Sequence, residues 1–169
     1  MMITFLISQQ KTIPKIREAV ETLAKKYGAK RTAALSDGSI RTYYSFPSPE
    51  ELASASLDDL LALKLGYRAK YICAAARQVA SGEVDLEAIR HMDYARAKAE
   101  LLRLTGVGIK VAECICLFAL HHIDAFPVDT HIRQMLDTHY PKGFPLKRYK
   151  GFAGVMQQYA FYYELSLKD

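Results

Sequence analysis

The amino-acid sequence predicts an all-α fold, a compact helical bundle. Three observations carry this: long stretches rich in Ala, Leu, Lys, Glu and Arg with apolar positions at helical spacing, hydroxyl residues followed by acids where helices would begin, and no sustained period-two alternation of β-branched residues. Thr12, ahead of Ile13-Pro14, opens a helix that runs to about Tyr27 and stops at Gly28, proline being tolerated in a first turn. Ser36-Asp37-Gly38-Ser39 marks a turn. Ser48-Pro49-Glu50-Glu51 and Ser56-Leu57-Asp58-Asp59 start two short helices, each with acids where the helix dipole favours them. Tyr67 to Ser81 is a helix between Gly66 and Gly82, and Asp85 to Met92 and Tyr94 to Thr105 alternate apolar and charged positions at helical spacing. After Gly106-Val107-Gly108 an apolar helix spans about Ile109 to Leu120. A connector containing Pro127 then leads to a helix from about Thr130 to His139, a Pro/Gly loop, and a last helix from about Lys147 to Leu167.

Composition narrows the function classes. A chain of 169 residues, half of them hydrophobic and 24% charged, fits one domain with a sizeable core and excludes disorder and collagen-like repeats. The longest apolar run, Cys114 to Leu120, is far short of the roughly 20 residues of a membrane span. No basic region or cleavage site follows Met1-Met2, so the expectation is a cytoplasmic protein with no membrane partner, nucleoid-associated in a prokaryote. The formal charge of +5 favours polyanionic partners. Cys73, Cys114 and Cys116 form no C-x-x-C pair and read as reduced thiols, with no metal site among them.

The segment Leu104-Thr105-Gly106-Val107-Gly108-Ile109-Lys110 joins two helical patterns through a turn whose glycines can expose backbone N–H groups. Those groups and the helix dipole can hold a phosphate of a DNA backbone, although an ordinary glycine-turned helical hairpin reads the same way. Lys110 stands where the positive helix end disfavours a cation. Burial there can lower a lysine's pKa and make it a nucleophile for Schiff-base chemistry, while a surface lysine touching a phosphate is the plainer alternative. Asp129 in Pro127-Val128-Asp129-Thr130-His131 is an N-cap by local rules. Facing Lys110 across an antiparallel helix pair, its carboxylate could also move the lysine's proton and stabilise an oxocarbenium-like centre. Gln157 and Phe161 lie four apart on one helical face, and an amide with a ring is what a flipped-base pocket requires; solvation and core packing are the bland readings. Cys114, four residues after Lys110, shares its face.

Together, Gly106-Val107-Gly108-Ile109-Lys110-Val111-Ala112-Glu113-Cys114-Ile115-Cys116-Leu117 and Pro127-Val128-Asp129-Thr130-His131 resemble the helix-hairpin-helix-GPD superfamily of base-excision DNA glycosylases, in particular the 8-oxoguanine DNA glycosylase/AP lyases. The resemblance extends through Phe5-Leu6-Ile7-Ser8-Gln9-Gln10, Leu65-Gly66-Tyr67-Arg68-Ala69 and the segment Phe152 to Phe161. It implies one glycosylase domain over 1–169, built of two helical lobes with the hairpin at about 94–120. It further implies a monomer acting on double-stranded DNA that contains a damaged base or an abasic site. Lys110 would attack C1′, with Asp129 assisting, and the Schiff base would undergo β-elimination. Gln157 would read the base edge, Phe161 and Cys114 would sandwich the base, and His131 would lie near the phosphates. The hairpin Gly106-Val107-Gly108 would hold the backbone, and Tyr67, Arg68 and Gln10 would lie by the gap that flipping leaves.

Two departures qualify the resemblance. The chain opens almost at the motif, so the expectation is that the N-terminal β-rich domain of the larger 8-oxoguanine enzymes is lacking, which keeps alkylated purines as alternative lesions. Gln9-Gln10 also stands where those enzymes usually carry asparagines. Three scattered cysteines cannot ligate an iron–sulfur cluster, so no cofactor is expected. From another class, a non-catalytic DNA-binding helix-hairpin-helix module is the competing reading.

Overall fold

The computed structural model describes residues 1–166. They fold as ten α-helices, one 3-10 turn and one β-hairpin: α1 Met2–Ser8, α2 Ile13–Tyr27, β1 Lys30–Ala34, β2 Ile40–Tyr44, α3 Pro49–Ala53, α4 Leu57–Ala62, α5 Arg68–Ala80, α6 Leu86–Arg90, α7 Tyr94–Leu101, α8 Ile109–Phe118, α9 Thr130–His139, the 3-10 turn Leu146–Tyr149, and α10 Ala153–Ser166. The chain divides into two compact units, Met1–Leu86 with Leu104–Gly106 and Glu87–Arg103 with Val107 onward.

In the first unit α5 packs against α1, α3 and α4 around buried Leu6, Leu52, Leu60, Leu65 and Ile72. Ser48 caps α3 in a full capping box with Glu51, and Ser56 caps α4 by accepting from the Asp59 N–H. Thr12 occupies the N-cap of α2, but its side chain makes no capping bond. The antiparallel strands β1 and β2, paired from Lys30↔Tyr44 to Ala34↔Ile40, depart from the purely helical reading. Both strands are almost wholly exposed on both faces, so they carry no alternating pattern to read. The tight turn at Ser36–Ser39 is present, held by Asp37 accepting from the Ser39 N–H and hydroxyl.

In the second unit α7 packs on α8, and α9 on α10. Every residue of α8 from Val111 to Leu117 is buried, which its apolar sequence dictates. The last helix differs from its expected start at Lys147: the 3-10 turn comes first, and Gly151 breaks the chain at φ +95° before α10 begins at Ala153. Asp124, far back in the connector, accepts hydrogen bonds from Gly151 N and Ala153 N at 2.6 and 3.3 Å and so caps that helix from a distance. The expected end at Leu167 lies outside the described residues. No helix among the described residues is long and apolar enough to cross a membrane.

Candidate functional site

The second unit brings several of the expected residues together. Lys110, in the first turn of α8, is half-buried, and no acid shares that turn. Cys114 follows one turn later on the same face, and its sulfur is hydrogen-bonded with the Lys110 side chain. Burial pushes the Cys114 thiol up, Lys110 opposes this through charge and hydrogen bond, and the carboxylates of Asp129 and Glu113 reinforce it. The thiol therefore stays protonated near neutral pH and presents a soft, uncharged wall beside the amine. Asp129 is the N-cap of α9, its Oδ1 accepting from the Ile132 N–H at 2.8 Å. The local reading of this residue holds, and its charge also reaches the Lys110–Cys114 pair.

Phe161 on α10 meets the His131 ring on α9 edge-on, centroids 5.9 Å apart. Gln157, one turn before Phe161, is 3% exposed and donates from Nε2 to the Pro127 carbonyl at 3.0 Å, while Gln158 donates to its Oε1. Its amide thus ties α10 to the connector before Asp129, retaining one N–H and one acceptor lone pair for another partner.

Glu113 passes in the sequence for one charge among many, yet it is 6% exposed. Both of its oxygens accept from Tyr94 Oη, Oε1 also pairs with Lys98 Nζ, and Oε2 accepts from the Phe126 N–H at 3.1 Å. The signal that could have found it is an acid flanked by apolar residues inside a helix whose other positions, from Val111 onward, carry no charge. Burial first, then the hydrogen bond to Glu113, pushes the Tyr94 phenol well above its ordinary range. Burial also raises the Cys116 thiol to about 11, the Glu113 charge adding to it.

In the first unit, Tyr67 is 44% exposed, whereas Arg68 is 7% exposed and committed to the fold. The Arg68 guanidinium donates from Nε and Nη2 to the Gln9 carbonyl, donates to the Leu65 carbonyl at 3.4 Å, and stacks on Tyr67 at 4.5 Å. That grip holds a turn in which Gln10, itself exposed, takes φ +52°. Gln9, marked in the sequence only as a departure from the family's asparagines, donates to the Gly106 carbonyl at 3.2 Å. Arg68→Ala is therefore expected to cost about 2–3 kcal/mol in a urea melt, since hydrogen bonds from a charged donor to buried acceptors are lost. An unchanged melt would mean that the clamp contributes nothing.

The two hairpin glycines have different reasons. Gly106 takes φ +86°, and a Cβ there would lie 2.3 Å from the Tyr71 ring, so the fold demands glycine. Gly108 is the N-cap of α8 at φ −91°, and a Cβ there would meet nothing within 4 Å. The fold leaves that space open, at a helix N-terminus suited to an anion.

No group of three or more His, Cys, Asp or Glu side chains among the described residues could hold a metal ion. The cysteines Cys73, Cys114 and Cys116 are free thiols, all buried.

Comparison with known proteins puts these features in a lineage. A probable N-glycosylase/DNA lyase of Methanothermobacter thermautotrophicus is 35% identical over 148 residues, which cover 71% of this chain and 47% of that protein. The N-glycosylase/DNA lyase of Saccharomyces cerevisiae is 33% identical over 150 residues, covering 82% of this chain and 39% of its own. The Clostridium acetobutylicum 8-oxoguanine glycosylase/lyase, solved in complex with double-stranded DNA containing cytosine opposite 8-oxoguanine, superposes with a TM-score of 0.86 at 30% identity over 99% of this chain and 59% of that one. The chain thus spans less than half the length of these curated relatives. Residues 3–143 match the HhH-GPD superfamily of base excision DNA repair proteins, and the chain belongs to that superfamily.

Proposed function

We propose that this protein is a base-excision DNA glycosylase with AP-lyase activity, acting on duplex DNA that carries 8-oxoguanine or a related damaged purine, and on abasic sites. The observation that carries the reading is the placement of Lys110 in the first turn of α8 with Cys114 one turn later on its face, and of Asp129 at the N-cap of α9, near enough for its charge to act on the Cys114 thiol. The names of the similar proteins, N-glycosylase/DNA lyase and 8-oxoguanine glycosylase/lyase, support the reaction class and the lesion.

In this mechanism Asp129 takes the proton from Lys110, and the free amine attacks C1′. The glycosidic bond breaks with its electron pair leaving on the base, which takes up the proton Asp129 had accepted, and the carboxylate so regenerated stabilises the positive charge at the sugar. The sugar ring opens to a protonated Schiff base on Lys110. Loss of a C2′ proton then expels the 3′ phosphate and nicks the strand, and water releases the lysine. Gln157 offers its remaining N–H and lone pair to the base edge, and Phe161 and Cys114 supply faces for the ring. The amides around Gly108 take a backbone phosphate, for which the open space at that residue leaves room, and His131 serves the same backbone.

The deciding assay is single-turnover reaction with duplexes containing 8-oxoguanine, an alkylated purine or an abasic site, each with and without borohydride. A trapped adduct with 8-oxoguanine is the expected result; an adduct only with the alkylated purine moves the lesion assignment. Binding without any adduct leaves a non-catalytic DNA-binding module. Asp129→Asn keeps an acceptor for the Ile132 N–H and is expected to slow base release by more than about tenfold with little loss of stability. Equal release rates would remove Asp129 from the chemistry.

A further inference from the structure

We propose that Glu113 is a positioning residue for the reaction: its buried carboxylate registers Asp129 against Lys110. The inference rests on the functional reading above. Glu113 lies on α8, one turn after Lys110 and next to Cys114. Its two oxygens hold three segments together: Tyr94 and Lys98, one turn apart on α7, α8 itself, and the backbone N–H of Phe126 at 3.1 Å. Phe126 is three residues ahead of Asp129, and its ring packs on Phe144 with centroids 4.9 Å apart, so the residue is fixed at both its amide and its ring. Gln157 grips the next carbonyl, that of Pro127, from the α10 side. The stretch leading into Asp129 is thus suspended between a carboxylate on the helix of Lys110 and an amide on the helix of Phe161.

The chemistry of the tie matters more than its strength. A buried ion pair contributes little net stability against apolar side chains of equal volume, because both charges must leave water. An apolar residue at this position could pack α7 on α8, but it could not aim a backbone N–H. A carboxylate with fixed donors on one side accepts that N–H at a set distance and angle. Base release needs the amine and Asp129 together within hydrogen-bonding reach of the sugar. Schiff-base formation at an existing abasic aldehyde makes its main demand on the amine. Loosening the tie should therefore separate the two rates.

The test uses the full chain with Glu113→Gln, which keeps volume but removes the charge, and Tyr94→Phe, which removes one donor and leaves the Phe126 bond. For Glu113→Gln, single-turnover base release should fall at least about tenfold, while borohydride trapping at a preformed abasic site stays within about threefold. Tyr94→Phe should shift the ratio of the two rates the same way by about threefold, and it decides the matter if Glu113→Gln fails to fold. Equal losses in both rates, or base release unchanged in both variants, would overturn the assignment. Amide hydrogen exchange supplies a readout independent of activity: at Phe126 and Ile132 it should quicken by about tenfold or more in Glu113→Gln and by about threefold in Tyr94→Phe, whose carboxylate still accepts the Phe126 N–H but has lost a donor that fixes it, with the amides in the middle of α8 unchanged. Unchanged exchange at Phe126 overturns the tie even if activity falls. A wild-type chain that neither releases base nor traps an abasic site sinks the functional reading, and the exchange rates then still decide the tie.

Discussion

Lys110→Gln should reduce covalent trapping on a borohydride-treated abasic duplex to background, a loss of more than about 10³-fold, because no other group replaces the nucleophile. Folding should survive. Lys110 is half-buried in the first turn of α8, where the positive end of the helix dipole disfavours a cation, so removing the charge costs little or slightly stabilises. The glutamine keeps most of the length of the side chain and a donor for the Cys114 sulfur. The melting temperature should therefore stay within about 3 °C of the wild type. Duplex binding should lose no more than one phosphate's worth of salt dependence, a slope change of about 1 or less. Trapping, melting and salt slope together separate a lost nucleophile from a lost fold or a lost grip. If the variant still nicked abasic DNA, another amine would have to carry the Schiff base.

What a sequence reader can see here follows from the range of the forces involved. The helices Ile13–Tyr27 and Thr130–His139 are delimited by residues at their own ends, Pro14 and Gly28 for one and Asp129 for the other, and both lie where local rules put them. The Lys110–Cys114 pair follows from helical spacing alone. Other features depend on residues distant in the chain. The start of α10 is set by Asp124, whose carboxylate accepts two N–H groups from 27 and 29 residues further on, so a local reading carries the helix back to Lys147. The β-hairpin is exposed on both faces, and its strands therefore lack the apolar alternation that marks a half-buried sheet. In the local sequence Arg68 and Glu113 pass for ordinary charges, although the family resemblance sets Arg68 beside the gap that flipping leaves. Each is buried because carbonyls or donors from other segments meet it, and such satisfaction is invisible until the chain is folded. Gln157 illustrates the same point: an amide expected to face a base is already half spent on the Pro127 carbonyl.

Gly154→Ala should be the most damaging single methyl in the second unit, costing about 3 kcal/mol in urea denaturation, at the upper end for overpacking. The added Cβ would lie 2.2 Å from the Ala125 carbonyl oxygen, 2.6 Å from Leu117 Cδ1 and 2.8 Å from the Ile123 carbonyl oxygen. Two of those three are backbone atoms, which cannot swing aside as a side chain would. Moving α10 away would break the bond from Gly154 N to the Ile123 carbonyl, 2.7 Å long, and strain the Gln157 grip on Pro127 one turn later. Moving the connector instead would shift the segment that leads to Asp129. Either response reaches the site, so the folded fraction of this variant should also release base more slowly than wild type. Gly108→Ala is the natural comparison. With nothing within 4 Å of its Cβ and φ at −91°, it should cost less than about 1 kcal/mol, the penalty of a poorer N-cap. Its effect should fall on duplex binding, since the methyl fills the space where a phosphate would approach the α8 amides. A stable Gly154→Ala variant would show that the connector yields easily, and the tight suspension of Asp129 would then be wrong. A Gly108→Ala variant that binds duplex as wild type does would remove that amide pocket from the DNA contact.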